Sequence, residues 1–272
     1  MIEPILLAAL SEDIGTGDVT TLSTVPEATV VSGRFVAKEA GVVCGLPVAA
    51  RVFGLVDPAV GFTPRASDGD AVGEGAVIAE ISGPARGVLT GERVALNFLQ
   101  RLSGIATHTR RLVEAVRGTK ARIADTRKTT PGLRALEKYA VRTGGGVNHR
   151  FNLSDGVLIK DNHIRAAGGI KKAVEAARNS APHTLRIEVE VEDLDMLDEA
   201  LSCGADIVML DNMSIEEMIK AVRRVGGRAV VEASGNMGEK DLAKVAATGV
   251  DLISVGALTH SVRAMDISLK FD

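Results

Sequence analysis

Residues 185–256 decide the fold, and they read LRIEVEVEDLDMLDEALSCGADIVMLDNMSIEEMIKAVRRVGGRAVVEASGNMGEKDLAKVAATGVDLISVG. Runs of branched apolar residues recur about every 20 residues in this stretch, and the segments between them have helical spacing. The predicted strands are 185–192, 206–211, 229–233 and 252–255, and the predicted helices between them are 193–202, 214–224 and 238–247. Strands that alternate with helices predict a parallel sheet.

Two earlier strands, 122–125 and 157–160, and a helix over 168–179 extend this pattern to six strands. An open doubly wound sheet and a barrel both fit that count. We favour a barrel, because the carboxyl ends of barrel strands gather side chains around one axis. The predicted strands end in polar or glycine positions, namely Asp125, Lys160, Glu190 to Glu192, Asp211, Ser234 and Gly256. Because an eightfold barrel typically needs about 250 residues, the predicted barrel is small, incomplete or irregular.

The N-terminal part follows a different pattern of short strands separated by Gly and Pro. Its predicted elements are helices over 2–12, 47–55 and 92–117 and strands over 30–37, 42–45 and 76–81. Gly104 marks either a break in the long helix or a point of close packing. We interpret residues 1–105 as a first α/β domain with a small sheet, 106–261 as the barrel domain, and 262–272 as a return to the first domain.

The composition is that of a globular protein and argues against several classes. The 272 residues include no Trp, one Tyr and six Phe, so the predicted core consists of Ala, Val, Leu and Ile. A formal net charge of −3 provides no electrostatic case for nucleic-acid binding. No apolar stretch reaches the length of a membrane span, and the N-terminus lacks the pattern of a signal peptide, so we expect a cytoplasmic protein. Cys44 and Cys203 are expected to be reduced thiols.

A cation cluster follows the predicted strand 122–125. Residues 125–132 read DTRKTTPG, so Arg127 and Lys128 stand among hydroxyl groups before a Pro-Gly turn. Further cations follow at Arg134, Lys138, Arg142, His149, Arg150 and Lys160. Glycines 144–146 lie between them, and successive glycines let backbone N–H groups approach an anion closely. The pattern predicts a site for a polyanionic small molecule, with a solvated basic turn as the alternative.

Lys160 differs from the other cations because it ends the apolar run 157–159 and begins the sequence Lys160-Asp161-Asn162-His163. A lysine in that position is predicted to point its charge into a cleft. The alternative is a structural salt bridge between Lys160 and Asp161. The arginines suit an anion site in another way, because the planar guanidinium forms paired hydrogen bonds with carboxylate or phosphate.

Acidic residues end the two following strands. Alternation in residues 187–192 puts Glu188, Glu190 and Glu192 on one strand face, where burial would be costly without cations, Mg²⁺ or hydroxyl groups nearby. The alternative is that this face is partly exposed to water. Asp211 ends the next strand, and we predict that Glu190 and Asp211 bind sugar hydroxyls or a hydrated Mg²⁺.

Small residues end the last two strands, at 232–236 and 254–260. Barrels often bind phosphate through backbone N–H groups at these positions. Other signatures are absent from the sequence, which has no GxxxxGK[ST] loop, no GxGxxG fingerprint and no metal-binding spacing of His.

Taken together, these motifs resemble the quinolinate phosphoribosyltransferase family, the carboxylating nicotinate-nucleotide pyrophosphorylases. The similar segments are 12–21, 92–107, 125–132, 144–146, 148–150, 160–163 and 255–261. The resemblance implies a fold like that of type II phosphoribosyltransferases, with an N-terminal α/β sandwich and an irregular, incomplete α/β barrel. It also implies the conversion of quinolinate and phosphoribosyl pyrophosphate to nicotinate mononucleotide, pyrophosphate and CO₂ in de novo NAD synthesis, with Mg²⁺ required.

The resemblance further implies roles for individual residues. Arg127, His149, Arg150 and Lys160 would line the quinolinate pocket, with Thr126 also binding substrate. Lys128, Lys160, Glu190 and Asp211 would be the catalytic residues facing phosphoribosyl pyrophosphate, with Glu190 and Asp211 holding Mg²⁺ directly or through water. Ser234, Gly235, Asn236, Val255, Gly256 and Ala257 would hold its phosphate. Arg93 resembles an arginine that a neighbouring subunit contributes, which implies a homodimer or a higher homo-oligomer.

Two other functions compete with this one. A related transferase of the same fold could act on nicotinate or another acid, although molybdenum-transport-associated relatives tend to lack the Lys-Asp-Asn-His sequence that is present here. A non-catalytic anion-binding protein would bind the same ligands without releasing pyrophosphate.

Overall fold

The structure is a computed structural model that describes residues 2–272, so Met1, the first residue of the predicted first domain, lies outside the described residues. In chain order the elements are α1 (Glu3–Ile14), α2 (Val19–Thr24), β1 (Val30–Ala37), β2 (Gly41–Val42), α3 (Leu46–Val56), β3 (Gly61–Pro64), β4 (Ala71–Val72), β5 (Val77–Pro84), α4 (Ala85–Ala115), β6 (Arg122–Ala124), α5 (Arg134–Thr143), β7 (Val157–Ile159), α6 (Asp161–Ala167), α7 (Ile170–Ser180), β8 (Ile187–Val191), α8 (Leu194–Ser202), β9 (Ile207–Asp211), α9 (Ile215–Val225), β10 (Val230–Ser234), α10 (Leu242–Ala247), β11 (Leu252–Ser254), α11 (Ala257–His260) and β12 (Ile267–Phe271).

The chain forms two compact units. The first contains residues 2–110, Thr130–Gly145 and Ser261–Asp272, and the second contains Arg111–Thr129 and Gly146–His260. This division differs from the predicted domains 1–105 and 106–261, because the segment that includes α5 groups with the first unit.

The first unit is built around an antiparallel sheet with the strand order β12-β1-β5-β3. Strand β12 comes from the C-terminal residues and pairs with β1, so the end of the chain belongs to this unit. Phe35, Phe53 and Phe62 contact one another in the core, with ring centroids 5.4 to 6.0 Å apart. Half of the six Phe therefore lie in one cluster that fixes α3 on the sheet.

The long helix α4 is continuous through Gly104. Gly104 is a point of close packing, because a Cβ added there would collide with the carbonyl oxygen of Arg263. Gly144 has a similar role at the end of α5, where an added Cβ would lie 2.6 Å from the Cβ of Thr109. The expectation that glycines 144–146 approach an anion is therefore wrong for Gly144, which is buried against α4.

The second unit contains six parallel strands in the order β6-β11-β10-β9-β8-β7. Strand β6 pairs with β11, so the first and last strands of this sheet are neighbours, and a ladder between β6 and β7, which residues 2–272 do not form, would complete the ring of strands. The prediction of an α/β fold with an incomplete barrel is confirmed. Each barrel strand lies within two residues of its predicted bounds.

Side-chain caps begin three of the helices that follow the strands. The carboxylates of Asp193 and Asp241 accept backbone N–H groups at the starts of α8 and α10. Ser214 forms a capping box with Glu217 at the start of α9. These caps end each loop at a fixed residue, which holds the preceding strand ends in place.

Helix α5 is the main element that the sequence prediction missed. Its residues RALEKYAVRT are strongly charged, yet Leu136, Ala140 and Val141 form a buried stripe. Arg134, Lys138 and Arg142 lie on this helix, so they belong to the first unit. Within residues 2–272, no helix combines the length and apolar character that crossing a bilayer requires. Cys44 and Cys203 are free thiols.

Candidate active site

The carboxyl ends of the strands in the second unit surround a cavity of about 620 Å³. Most of the predicted site residues line it, namely Thr126, Arg127, Lys128, His149, Arg150, Lys160, Glu190, Asp211, Ser234, Gly235, Asn236, Gly256 and Ala257. Two predicted residues do not. Val255 is fully buried and its N–H donates to the carbonyl of Ala124, so that N–H is not available to a phosphate. Arg93 is exposed on α4 in the first unit.

The buried carboxylate of Asp125 positions part of the cationic wall. It accepts hydrogen bonds from the side-chain amide of Asn148 at 2.6 Å and from the backbone N–H of His149 at 2.8 Å. Asp125 directly follows β6, and its two bonds fix the loop that carries His149 and Arg150 beside that strand. The acidic residue at the strand end therefore organises the loop, and Arg127 and Lys128 follow it in the chain.

Arg127 and Arg150 repel each other inside the cavity. Burial lowers the pKa of the Arg150 guanidinium, the charge of Arg127 lowers it further, and the opposite charge of Glu188 partly offsets both. Arg150 also donates to the carbonyl of Gly156 at 2.9 Å, which orients its planar group. Two crowded guanidinium groups create a strong preference for an anion between them.

Lys160 forms an ion pair with Glu190 across β7 and β8. The pair joins the cationic and acidic parts of the cavity, and it replaces the alternative pairing of Lys160 with Asp161. Of the three glutamates predicted on one face, Glu188 is buried, Glu190 is largely buried and Glu192 lies exposed beyond the end of β8.

Asp211 and the two small-residue loops complete the cavity. Asn212 has φ of 55° and donates from its side-chain amide to Asp211 at 2.8 Å. A Cβ added at Gly235, where φ is 90°, would collide with the side chain of Asn212. Gly256 packs against His260 and Lys128. A Cβ added at Gly256 would lie 3.1 Å from the imidazole ring and 3.2 Å from Cδ of the lysine. Both glycines therefore allow the loops to pack closely against neighbouring side chains that line the cavity.

A buried cluster of His149, Glu188 and Glu232 was missed by sequence reasoning. His149 Nε2 lies 3.2 Å from Glu188 and 3.6 Å from Glu232, and Glu232 also lines the cavity. Burial, followed by the charge of Glu188, raises the pKa of Glu232 to about 7, although His149, Ser254 and Lys160 act in the opposite direction. The available signal was a single Glu inside the apolar strand AVVEAS, which a parallel strand covered on both faces should not contain.

The ligand atoms of this cluster are close enough together to hold a metal ion. The hydrogen bonding of His149 argues against that use. Its Nδ1 accepts the backbone N–H of Arg150 at 2.8 Å, which leaves the ring proton on Nε2, the atom that faces the carboxylates. A metal-binding His instead donates from the nitrogen that does not bind the metal.

Comparisons with known proteins agree with this geometry. The family model for the quinolinate phosphoribosyl transferase N-terminal domain matches residues 18–103, and the model for the C-terminal domain matches residues 105–270. A probable carboxylating nicotinate-nucleotide pyrophosphorylase from Bacillus subtilis is 48% identical over 95% of this chain and 89% of its own length. The Mycobacterium leprae carboxylating nicotinate-nucleotide pyrophosphorylase is 48% identical over 96% of this chain and 94% of its own length.

Solved structures show the same similarity in three dimensions. The crystal structure of NadC from Streptococcus pyogenes has a TM-score of 0.95 and 47% identity, and the match covers 99% of this chain and 95% of that one. The nicotinate-nucleotide pyrophosphorylase of Francisella tularensis has a TM-score of 0.95 and 43% identity over 100% of this chain and 96% of that one. Human nicotinic acid phosphoribosyltransferase, with a TM-score of 0.64 and 13% identity over 97% of this chain and 74% of that one, shares the fold alone.

Proposed function

The chain belongs to the quinolinate phosphoribosyltransferase family, and we propose that it converts quinolinate and phosphoribosyl pyrophosphate to nicotinate mononucleotide, pyrophosphate and CO₂. This is the carboxylating nicotinate-nucleotide pyrophosphorylase reaction, written in the direction of de novo NAD synthesis. The observation that carries the proposal is the division of charge in one cavity. Guanidinium groups crowd one part of the wall, and carboxylates at the ends of neighbouring strands line another.

Arg127 and Arg150 form the proposed clamp for the two quinolinate carboxylates. Their crowding is relieved when a dianion binds between them, and each guanidinium can form paired hydrogen bonds with a carboxylate. The clamp holds the pyridine nitrogen toward C1 of the ribose, so that most of the catalytic advantage comes from positioning and electrostatics. The ammonium group of Lys160 would exchange its pairing with Glu190 for pairing with the bound anions.

The acidic residues act on the sugar. As the pyrophosphate leaves C1, positive charge develops on the ribose, and the carboxylates of Glu190 and Asp211 stabilise it. Lys128 stabilises the departing pyrophosphate, and the loops at Ser234 and Gly256 hold the 5′-phosphate. Once the nitrogen is alkylated, the positively charged ring accepts the electron pair that the leaving CO₂ leaves behind.

Mg²⁺ is part of the proposal. The hard oxygen atoms of Glu190 and Asp211 would hold a hydrated Mg²⁺, although Glu190 already accepts from Lys160 and Asp211 from Asn212. Contact through water therefore fits better than direct coordination. When bound, Mg²⁺ neutralises charge on the leaving pyrophosphate.

A homodimer with shared sites completes the proposal. Arg93 is exposed on α4, where it could reach the cavity of a partner subunit. Mixing an Arg93→Ala protomer with an Arg127→Ala protomer tests this idea, because one site of each hybrid dimer would then be intact. Recovery of activity supports sharing, and failure of hybrids to regain activity contradicts it. The cytoplasmic location stays a prediction, which cell fractionation would test.

The decisive experiment measures CO₂ and pyrophosphate released by the purified protein from quinolinate, phosphoribosyl pyrophosphate and Mg²⁺. We expect the two products in equal amounts. An assay with nicotinate in place of quinolinate tests the alternative of a nicotinate transferase, because such an enzyme would release pyrophosphate without CO₂. A protein that binds quinolinate and releases neither product would be a carrier, and the proposed function would be wrong.

A further inference from the structure

The cluster of His149, Glu188 and Glu232 contains two carboxyl groups that are almost completely buried. Glu188 is 4% exposed and Glu232 is 1% exposed. The Oε1 atom of each has no hydrogen-bond partner. Two buried carboxylates with an incomplete set of donors are costly, so the arrangement favours a proton shared within the cluster.

The orientation of His149 determines where that proton lies. Because Nδ1 of the ring accepts a backbone N–H, the proton on Nε2 points to the two carboxyl groups. His149 therefore contributes one hydrogen-bond donor to the two carboxyl groups. The remaining excess of negative charge is relieved when one of the glutamates holds a proton.

The surroundings identify Glu232 as the protonated group. Burial and the neighbouring Glu188 on β8 favour its neutral form, whereas three groups favour the carboxylate: His149, Ser254 on β11, and Lys160 at the end of β7. The balance raises the pKa of Glu232 to about 7, so a large share of the molecules carry this proton at neutral pH. Glu232 lines the cavity, which places its carboxyl group beside the proposed substrate site.

The proposed reaction consumes such a proton. When CO₂ leaves, the bond from C2 of the pyridine to the carboxylate breaks, and the electron pair stays on C2. That carbon must then form a bond to hydrogen. The arginines of the cavity do not release protons at neutral pH, and the ammonium group of Lys160 is paired with Glu190.

We propose that Glu232 is the acid that protonates C2 of the pyridine ring after decarboxylation, and that His149 positions it. The O–H bond of Glu232 breaks, its electron pair stays on the oxygen, and the C2–H bond forms. The Nε2–H of His149 and the charge of Lys160 then stabilise the Glu232 carboxylate until solvent returns a proton. This inference rests on the proposed function and adds a catalytic residue to it.

Glu232→Gln is the test, because an amide keeps the shape of the protonated carboxyl group but cannot release a proton. In a single turnover with quinolinate, phosphoribosyl pyrophosphate and Mg²⁺, we expect pyrophosphate release within a few-fold of wild type. Without the acid, the C2 carbanion recombines with CO₂ before it is protonated, so net CO₂ release should be slower by roughly 10²-fold or more, the usual effect of losing a general acid. Quinolinate mononucleotide, which still carries both carboxylates, should accumulate.

Glu216→Gln is the matched control. Glu216 is exposed at the start of α9 and does not line the cavity, so its variant should release pyrophosphate and CO₂ at the rates of wild type. If Glu232→Gln slows both products equally, or slows neither, the proposal is overturned. If wild type releases no CO₂ at all, the proposed function is wrong. That outcome differs from a failure of the Glu232 proposal alone, in which wild type releases CO₂ and the variant does so equally fast.

The pH dependence of wild type provides a second measurement if Glu232→Gln does not fold. CO₂ release in a single turnover should decline as the pH rises through about 7, the value to which the surroundings raise the pKa of Glu232. Pyrophosphate release should not show that decline. If the ratio of the two release rates is constant from pH 6 to 8, roughly one unit on each side of that pKa, the proposal is contradicted.

Discussion

Glu137 in the first unit and Glu232 in the second are both buried glutamates, but their surroundings differ. Glu137 is completely buried and accepts from Arg101 Nε at 2.9 Å, from Arg101 Nη2 at 2.6 Å and from the backbone N–H of Thr130 at 3.0 Å. Glu232 is as deeply buried, yet its Oε1 has no hydrogen bond, and a second carboxyl group lies nearby. A buried carboxylate with all its donors supports the fold, whereas one with an incomplete set is available for chemistry.

The largest expected effect concerns the fully paired glutamate. Glu137→Ala leaves the guanidinium of Arg101 without its carboxylate partner inside the first unit and should lower the free energy of unfolding by about 4 kcal/mol, as broken buried pairs do. Urea denaturation measures it. Glu114→Ala, which breaks an exposed pair with Arg117, should cost about 1 kcal/mol or less. Equal losses in both variants would show that the Glu137 pair is not a main support of the fold.

The next effect concerns the guanidinium groups of Arg127 and Arg150, which line the same cavity as Glu232. Arg127→Ala should lower kcat/KM for quinolinate by roughly 10²-fold, as the loss of a single charged donor does in other enzymes. The exposed residue Arg223 on α9 is the control, because Arg223→Ala removes the same charge far from the cavity lining. Steady-state kinetics that do not distinguish the two variants would contradict the proposed carboxylate clamp.

The contrast between the two glutamates also explains how far the sequence prediction reached. Strand ends and their cations were predictable, because alternating apolar runs end at Asp125, Lys160 and Asp211. The pairing of Glu137 was not predictable, because Arg101 and Thr130 are distant from it in sequence. In addition, the many charged residues of α5 obscured its apolar spacing, so the helix itself was not predicted. Local patterns predict where a side chain points, but they do not show which long-range partners it meets.

Glu232 was missed for a related physical reason. The three alternating carboxylates of residues 187–192 indicate a functional strand face, whereas a single Glu in an apolar strand resembles an ordinary exposed position. Its burial arises only when β9 and β11 pair on both sides of β10. The role of Gly144 was misread for the same reason, because its close neighbour Thr109 lies on another helix.

The pH dependence of stability should separate the two glutamates further. Because the folded-state pKa of Glu232 is raised to about 7, the native protein binds more protons than the unfolded chain above the ordinary pKa of a glutamate. Stability is therefore lost as the pH rises, by about 2 kcal/mol between pH 5 and 7 from this group. Glu232→Gln should remove that slope, as measured by urea denaturation at several pH values. A slope that persists in the variant would assign it to other groups.

The smallest effect concerns Asp211, which has a single side-chain donor where Glu137 has a full set. Asn212 supplies that donor at 2.8 Å from a left-handed conformation with φ of 55°, which Asn and Gly adopt more readily than other residues. Asn212→Gly removes the donor without backbone strain, and Asn212→Ala removes it with strain. If the hydrogen bond positions Asp211 for the ribose, both variants should lose about tenfold in kcat/KM for phosphoribosyl pyrophosphate, equivalent to about 1.4 kcal/mol. The KM for quinolinate should not change. If only Asn212→Ala loses activity, backbone strain explains the effect. The orientation of the Asp211 side chain would then depend on β9 and not on the hydrogen bond from Asn212.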